Sequence, residues 1–341
     1  MDKIGILTFQ FADNYGAVLQ CYALQEYAKL FCTDVKVINY KPLKMLPITT
    51  RIRRLLIKRP YRILFSDFRR KYLNIDLRCK KYNRIIVGSD QVWNPEIIKF
   101  DDFWIKPRIK YDYIYSYAAS FGKLNFNDQE QKFLMSHLRD FQKYRILTLR
   151  ESLGESFFSS CGIDSKVVCD PTLLFYGDVS IYDQLAQNNR IEKSNASKNS
   201  SYILVYSLES NEDMDRIATQ LGIEHNLDVI NIHPMNFHLQ KSGKYIDDVG
   251  PCDFLYLIKN AAYIVTNSFH GLSFSYIYKK HVICVLHHSL GSRQLELIQK
   301  SGFEYSKIDS DIYEIDTNQN NDGFVEYIEE SRRALVKMLD K

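Results

Sequence analysis

Short apolar runs that end in polar clusters and give way to amphipathic stretches recur along the whole chain, and this alternation constrains the fold more than any other feature. Residues 3–9 read as a strand, Asp13-Asn14-Tyr15-Gly16 as a turn, 17–30 as a helix and 35–39 as a second strand. Strand, helix and strand at that spacing form a parallel βαβ crossover. Further strands are predicted at 84–87, 113–118, 146–149 and 167–169, with a helix over 128–143. The stretch RIEKSNASKNSS at 190–201 has almost no apolar content and is the best linker. The alternation then restarts, with strands at 202–206, 229–232, 263–265 and 282–286 and helices at 212–226, 251–261 and after Gly271. A polar loop at 309–322 and a closing helix within 323–341 complete the chain. Two such arrays predict an α/β protein of two Rossmann-like doubly wound domains, 1–189 and 202–322, facing a cleft. The closing helix is expected to pack back on the first domain.

At 341 residues the chain is too long for one ordinary core. Its net charge of +4 argues against nucleic acid as a main partner. Seven cysteines form no CxxC pair and no zinc-spaced cluster, so no metal site is expected. Scattered among apolar neighbours, they read as reduced thiols of a cytoplasmic protein. The chain opens on the strand-like Ile4-Gly5-Ile6-Leu7, which is not a signal peptide, and no apolar run approaches a membrane span. The stretch 41–71 stands apart, with eleven Lys/Arg against Asp67 alone and with Leu55-Leu56-Ile57 and Ile63-Leu64-Phe65 interleaved. That composition suits the anionic inner face of a membrane. A solvated helical arm fits it nearly as well, and a nucleic-acid arm fits it least.

In doubly wound sheets ligands sit beyond the carboxyl ends of the strands, where these polar clusters fall. Thr266-Asn267-Ser268-Phe269-His270-Gly271 follows one strand and opens a helix, whose start favours negative charge. A histidine there can serve as a general acid at neutral pH. The plainer alternative is a helix N-cap by Asn267 or Ser268 with His270 as an ordinary buried residue. Arg150 and Arg293 also sit at strand-to-helix turns, where a guanidinium suits a carboxylate or phosphate. An ion pair of Arg150 with Glu151 is the structural alternative. With Asn267, Ser268, Phe269 and Gly271 these residues make the expected donor side.

Gly88-Ser89-Asp90-Gln91-Val92-Trp93-Asn94 offers a carboxylate, amides and an indole to a sugar, or is a capped turn. Ser89, Gln91 and Trp93, with Asn14 and Tyr15, make the expected acceptor side, and Asp90 is the candidate to orient or deprotonate the acceptor hydroxyl. The turn at 13–17 lacks GxGxxG, so no dinucleotide fingerprint is present. His287-His288 cannot chelate one ion from opposite strand faces. His233 and His238 have no evident partner set.

Taken in order, the segments resemble the polysaccharide pyruvyl transferase family. The carriers are Asn14-Tyr15-Gly16-Ala17-Val18-Leu19-Gln20, GSDQVWN at 88–94, Tyr117-Ala118-Ala119-Ser120-Phe121-Gly122, Arg150-Glu151, Asp170-Pro171-Thr172-Leu173-Leu174 and TNSFHG at 266–271. The resemblance implies a GT-B-like fold and pyruvate transfer from phosphoenolpyruvate, as a ketal, onto a sugar of a surface polysaccharide precursor. It implies phosphoenolpyruvate as a co-substrate and no further cofactor, with His270 as catalytic acid and Arg150 as donor ligand. A lipid-diphosphate-linked acceptor would fit the basic stretch. Many relatives carry Arg-Leu-His-Gly where this chain has Ser268-Phe269-His270-Gly271, so one donor-binding arginine is absent. A nucleotide-sugar glycosyltransferase and a non-catalytic, membrane-associated carbohydrate-binding protein are the rival readings.

Overall fold

The computed structural model describes residues 2–40, 60–77, 81–98, 101–123, 125–192, 201–319 and 321–340. Two seven-stranded sheets organise them. The first runs β3-β2-β1-β4-β5-β6-β7, the strands being Lys3–Leu7 (β1), Asp34–Ile38 (β2), Ile75–Asp76 (β3), Lys81–Val87 (β4), Lys110–Ala119 (β5), Tyr144–Leu149 (β6) and Lys166–Val167 (β7). Every pairing in it is parallel. β1 and the carboxyl half of β4 are continuous apolar runs because helices cover both faces.

The second sheet runs β10-β9-β8-β11-β12-β14-β13, from Tyr202–Tyr206 (β8), Asp228–Ile232 (β9), Lys244–Tyr245 (β10), Tyr263–Thr266 (β11), His281–Val285 (β12), Tyr305–Asp309 (β13) and Ile312–Ile315 (β14). Its first five strands are parallel. The two Rossmann-like sheets face each other across a GT-B-like cleft.

The stretch 309–322, expected as a polar loop, instead contains β14. This strand pairs antiparallel with β12 and β13, and Ile312 and Ile315 point into the core. The helix expected at 128–143 divides into Asp128–Ser136 and Leu138–Phe141 at His137.

One apolar core runs through both halves. Tyr15 lies fully buried between them, stacked on Phe254 at 4.5 Å and Phe65 at 5.5 Å, and its hydroxyl donates to Val249 O at 3.1 Å. The Asp322–Leu339 helix returns to the first sheet. Ser331 Oγ accepts from Cys169 N, Arg84 donates to Met338 O, and Arg332 donates to Leu174 O and Tyr176 O.

Within the basic stretch, 41–59 lies outside the described residues, as does the expected linker over 193–200. Pro60–Tyr72 is a helix that buries Tyr61, Phe65 and Phe68 and leaves Ile63 exposed. Arg69 pairs with Asp13 at 3.0 Å and Arg70 with Asp67 at 2.9 Å. No helix among the described residues is long and apolar enough to cross a membrane.

Candidate active site

The carboxyl ends of the two sheets meet around four residues. Arg150 follows β6 and Asp170 follows β7 in the first half; His270 follows β11 and Arg293 follows β12 in the second. All four are buried.

His270 lies in the first turn of the Phe269–Ile277 helix, which Ser268 starts as N-cap by accepting from Gly271 N at 3.3 Å. The imidazole reaches across to the Tyr15–Lys29 helix of the first half and lies on Gly16. A methyl group there would sit 2.0 Å from His270 Nδ1, so the close approach requires glycine. The other ring nitrogen, Nε2, is 3.7 Å from Asp170 Oδ2 and makes no hydrogen bond.

Arg150 is held by carboxylates from three strand ends. Nη1 donates to Asp170 Oδ2 at 2.9 Å, Nε to Glu151 Oε1 at 3.4 Å, and Nη2 stands 3.8 Å from Asp90. Burial alone would lower the pKa of this guanidinium, but Glu151, Asp170 and Asp90 outweigh it and raise the value. Burial pushes Arg293 down to about 10, and Arg150 beside it adds to the effect. Asp170 would be raised by burial; His270, Arg150 and the Thr172 N–H instead hold it well below the usual carboxylate range.

Phe269 lies beside both arginines, with Arg150 Cζ 4.8 Å and Arg293 Cζ 5.9 Å from its ring centroid. Both distances suit a cation–π contact, so one ring offsets part of the repulsion between two like charges. With the Gln91 amide oxygen turned toward it, Arg293 donates from Nη1 at 3.0 Å and from Nη2 at 3.2 Å. The halves also meet where Glu296 accepts from Ser152 N, at the start of the Ser152–Ser160 helix.

Three buried nitrogens in this space make no hydrogen bond: Arg150 Nη2, His270 Nε2 and Arg293 Nε. Orphaned polar groups of this kind are costly in a dry site. Their convergence from both halves marks a place for a polar or anionic ligand. Among the described residues no group of three or more His, Cys, Asp or Glu could hold a metal ion.

Several expected contacts turn inward. Trp93, expected to stack on a sugar, is fully buried against Phe141, Tyr144 and Phe158, and its indole N–H donates to Trp104 O at 3.0 Å. Ser89 is buried, its single hydroxyl proton shared between Ala118 O at 2.9 Å and Asp170 Oδ2 at 3.1 Å. Tyr15 belongs to the core between the halves. Asn14 caps its helix by accepting from Ala17 N at 3.2 Å, and Gln91 faces Arg293 instead of an acceptor. Of the acceptor-side candidates, Asp90 keeps a partly exposed carboxylate.

On the donor side, Asn267 accepts from Leu208 N at 2.7 Å and donates to Glu209 O at 3.3 Å, which fixes the turn. Ser268 is occupied as N-cap, and Gly271 leaves room for the Thr266 hydroxyl. The side chains of Asn267 and Ser268 are therefore engaged in fixing the turn that carries Phe269 and His270. Asp170 was legible as part of the Asp170–Leu174 segment but not as a partner of the site; a carboxylate two residues before Thr172 reads locally as an N-cap, which it also is.

The fold is shared with proteins of very different sequence. A UDP-GlcNAc 2-epimerase of Neisseria meningitidis bound to UDP-GlcNAc superposes with a TM-score of 0.52 at 11% identity, over 99% of this chain and 92% of that one. The UDP-GlcNAc 2-epimerase of Methanocaldococcus jannaschii gives 0.51 at 13% identity, over 96% and 92%. No curated protein matches the sequence. The family model for polysaccharide pyruvyl transferase matches residues 14–289, a span holding Gly16, Asp90, Arg150, Asp170 and His270 but ending short of Arg293. By that match the chain belongs to the polysaccharide pyruvyl transferase family.

Proposed function

We propose that the chain moves pyruvate from phosphoenolpyruvate onto two hydroxyls of one sugar in a polysaccharide precursor, forming a ketal. The observation that carries this reading is the set of three buried nitrogens without a hydrogen bond, Arg150 Nη2 from the first half and His270 Nε2 and Arg293 Nε from the second. A small anion with a carboxylate and a phosphate would satisfy both guanidinium nitrogens and stand beside the imidazole.

In the first step His270 Nε2 gives a proton to the enol CH₂ carbon, and the adjacent carbon becomes cation-like. A sugar hydroxyl attacks that carbon and loses its proton, for which Asp90 is the nearest partly exposed carboxylate. A second hydroxyl then displaces phosphate. Its proton leaves with the phosphate, and the proton from the first hydroxyl restores His270. Arg150 and Arg293 hold the carboxylate and stabilise charge on the departing phosphate.

A lipid-diphosphate-linked acceptor remains the favoured form, with contact to an anionic membrane through the basic stretch at 41–71. The test combines the protein, phosphoenolpyruvate and a panel of lipid-linked sugars, and follows phosphate release together with the ketal mass increment. Saturable binding of UDP or GDP without binding of phosphoenolpyruvate would favour a nucleotide-sugar transferase instead. Liposome binding with no donor binding would favour a non-catalytic role.

A further inference from the structure

The buried carboxylate after β7 has no part in the steps above, yet it touches both groups that the chemistry needs. Asp170 lies in a fully buried position. Its Oδ1 accepts from Thr172 N at 3.0 Å and from Thr172 Oγ1 at 2.8 Å, which fixes the carboxylate plane. Its Oδ2 accepts from Arg150 Nη1 at 2.9 Å, lies 3.1 Å from Ser89 Oγ, and is 3.7 Å from His270 Nε2. Burying a carboxylate is expensive unless it is paired and hydrogen-bonded. The partners in its own half already meet that requirement. The contact with His270 is the one that crosses the cleft.

We propose that Asp170 is the positioning residue of this site: one fixed oxygen, 3.7 Å from His270 Nε2 and bonded to Arg150 Nη1, sets where the imidazole from the far half and the guanidinium from its own half stand around a common ligand. This rests on the pyruvyl-transfer reading for its chemistry and on the contacts alone for its geometry. Three features support it. Oδ2 faces the ring nitrogen opposite the one that lies on Gly16, so the imidazole is bracketed at both ends. Arg150 has Nη1 pinned on Asp170, while Nη2, 3.8 Å from Asp90, makes no hydrogen bond. The Thr172 hydroxyl and N–H hold the carboxylate in place without either functional group, so the aim does not depend on a bound ligand.

Two readouts on Asp170→Asn separate the claims. In protein labelled with ¹⁵N-histidine, the ring signals of His270, assigned by their loss in His270→Gln, are expected to shift in the ligand-free variant. Unchanged ring signals would overturn the proposal whatever the enzyme does. In steady-state kinetics kcat is expected to fall roughly a hundredfold, within the range a positioned acid supplies. The KM for phosphoenolpyruvate should stay level or drop, because a carboxylate competing for Arg150 has been neutralised. An unchanged kcat, or a rise in KM that tracks a lowered melting temperature, would also overturn it.

Thr172→Val removes only the hydroxyl on Oδ1 and keeps the charge. It should move the same His270 signals by less, and it serves if the asparagine variant does not fold. Absence of turnover in the unmodified protein with every acceptor would count against the pyruvyl-transfer reading, and the histidine spectra would still decide the role of Asp170.

Discussion

Gly16 and His270 belong to opposite halves of the molecule, and the imidazole lies so close to the glycine that an added methyl group would meet Nδ1 at 2.0 Å. Gly16→Ala is therefore expected to push His270 off its aim or to part the halves. Turnover should fall by about tenfold or more, a small part of the 10²–10⁴ that an aimed acid supplies. Steady-state kinetics beside a melting curve checks this; a variant as active as the parent would show that the ring has room to spare.

His270 itself is expected to be dispensable for folding and required for turnover. His270→Gln should lose about 10²–10⁴ in kcat while its circular dichroism matches the parent. Substantial residual activity would move the proton donor elsewhere.

Arg293 brings the second guanidinium to the site from the far half, and Gln91 and Phe269 hold it there. Arg293→Lys keeps a cation but loses the fork and the stacked plane. A lost charged hydrogen bond is worth about 1.5–3 kcal/mol, so KM for phosphoenolpyruvate should rise roughly tenfold to a hundredfold. Isothermal titration with phosphoenolpyruvate gives the same comparison without an acceptor; unchanged affinity would remove Arg293 from donor binding.

Trp93 bears on the acceptor. Its ring packs in the core of the first half, so Trp93→Phe is expected to lower the melting temperature and leave the acceptor KM unaltered. A raised acceptor KM at unchanged stability would restore the indole to the sugar site.

His233 links stability to acidity. Burial pushes its pKa down from 6.5 to about 4. Its Nδ1 accepts from Met235 N at 3.1 Å and Phe237 N at 3.4 Å, which suits the neutral ring. Between those two pH values the unfolded chain binds the proton and the folded chain does not, so stability is lost as pH falls from about 6.5 towards 4. The loss across that window is on the order of 3 kcal/mol. Denaturant melts across that window should show it, and His233→Asn should flatten it.

The central strands of both sheets were legible because parallel strands buried on two faces are nearly unbroken apolar runs, as in Tyr202–Tyr206. The Tyr305–Asp309 strand escaped notice because every one of its residues is exposed and no alternation survives. Ile75–Asp76 and Lys244–Tyr245 are two-residue edge strands, too short to carry a pattern. His270 and Arg150 were legible as candidates because each lies just beyond an apolar strand, the end at which such sheets hold ligands. Trp93 misled because a turn position does not say which way a ring points; here it turns back among phenylalanines. The contacts of Asp170 were hidden because its partners lie 81, 20 and 100 positions away, and no local pattern reports partners at that range.

The final helix has a consequence for biosynthesis. Residues 322–339 complete the half that residue 3 begins, with Ser331, Arg332 and the Met338 carbonyl bonded to Cys169, to Leu174 and Tyr176, and to Arg84. On the ribosome the half that starts first is completed only once residues 322–339 have emerged, whereas the second sheet, all within 202–315, emerges before them. Removing that helix should therefore harm the early half more than the late one.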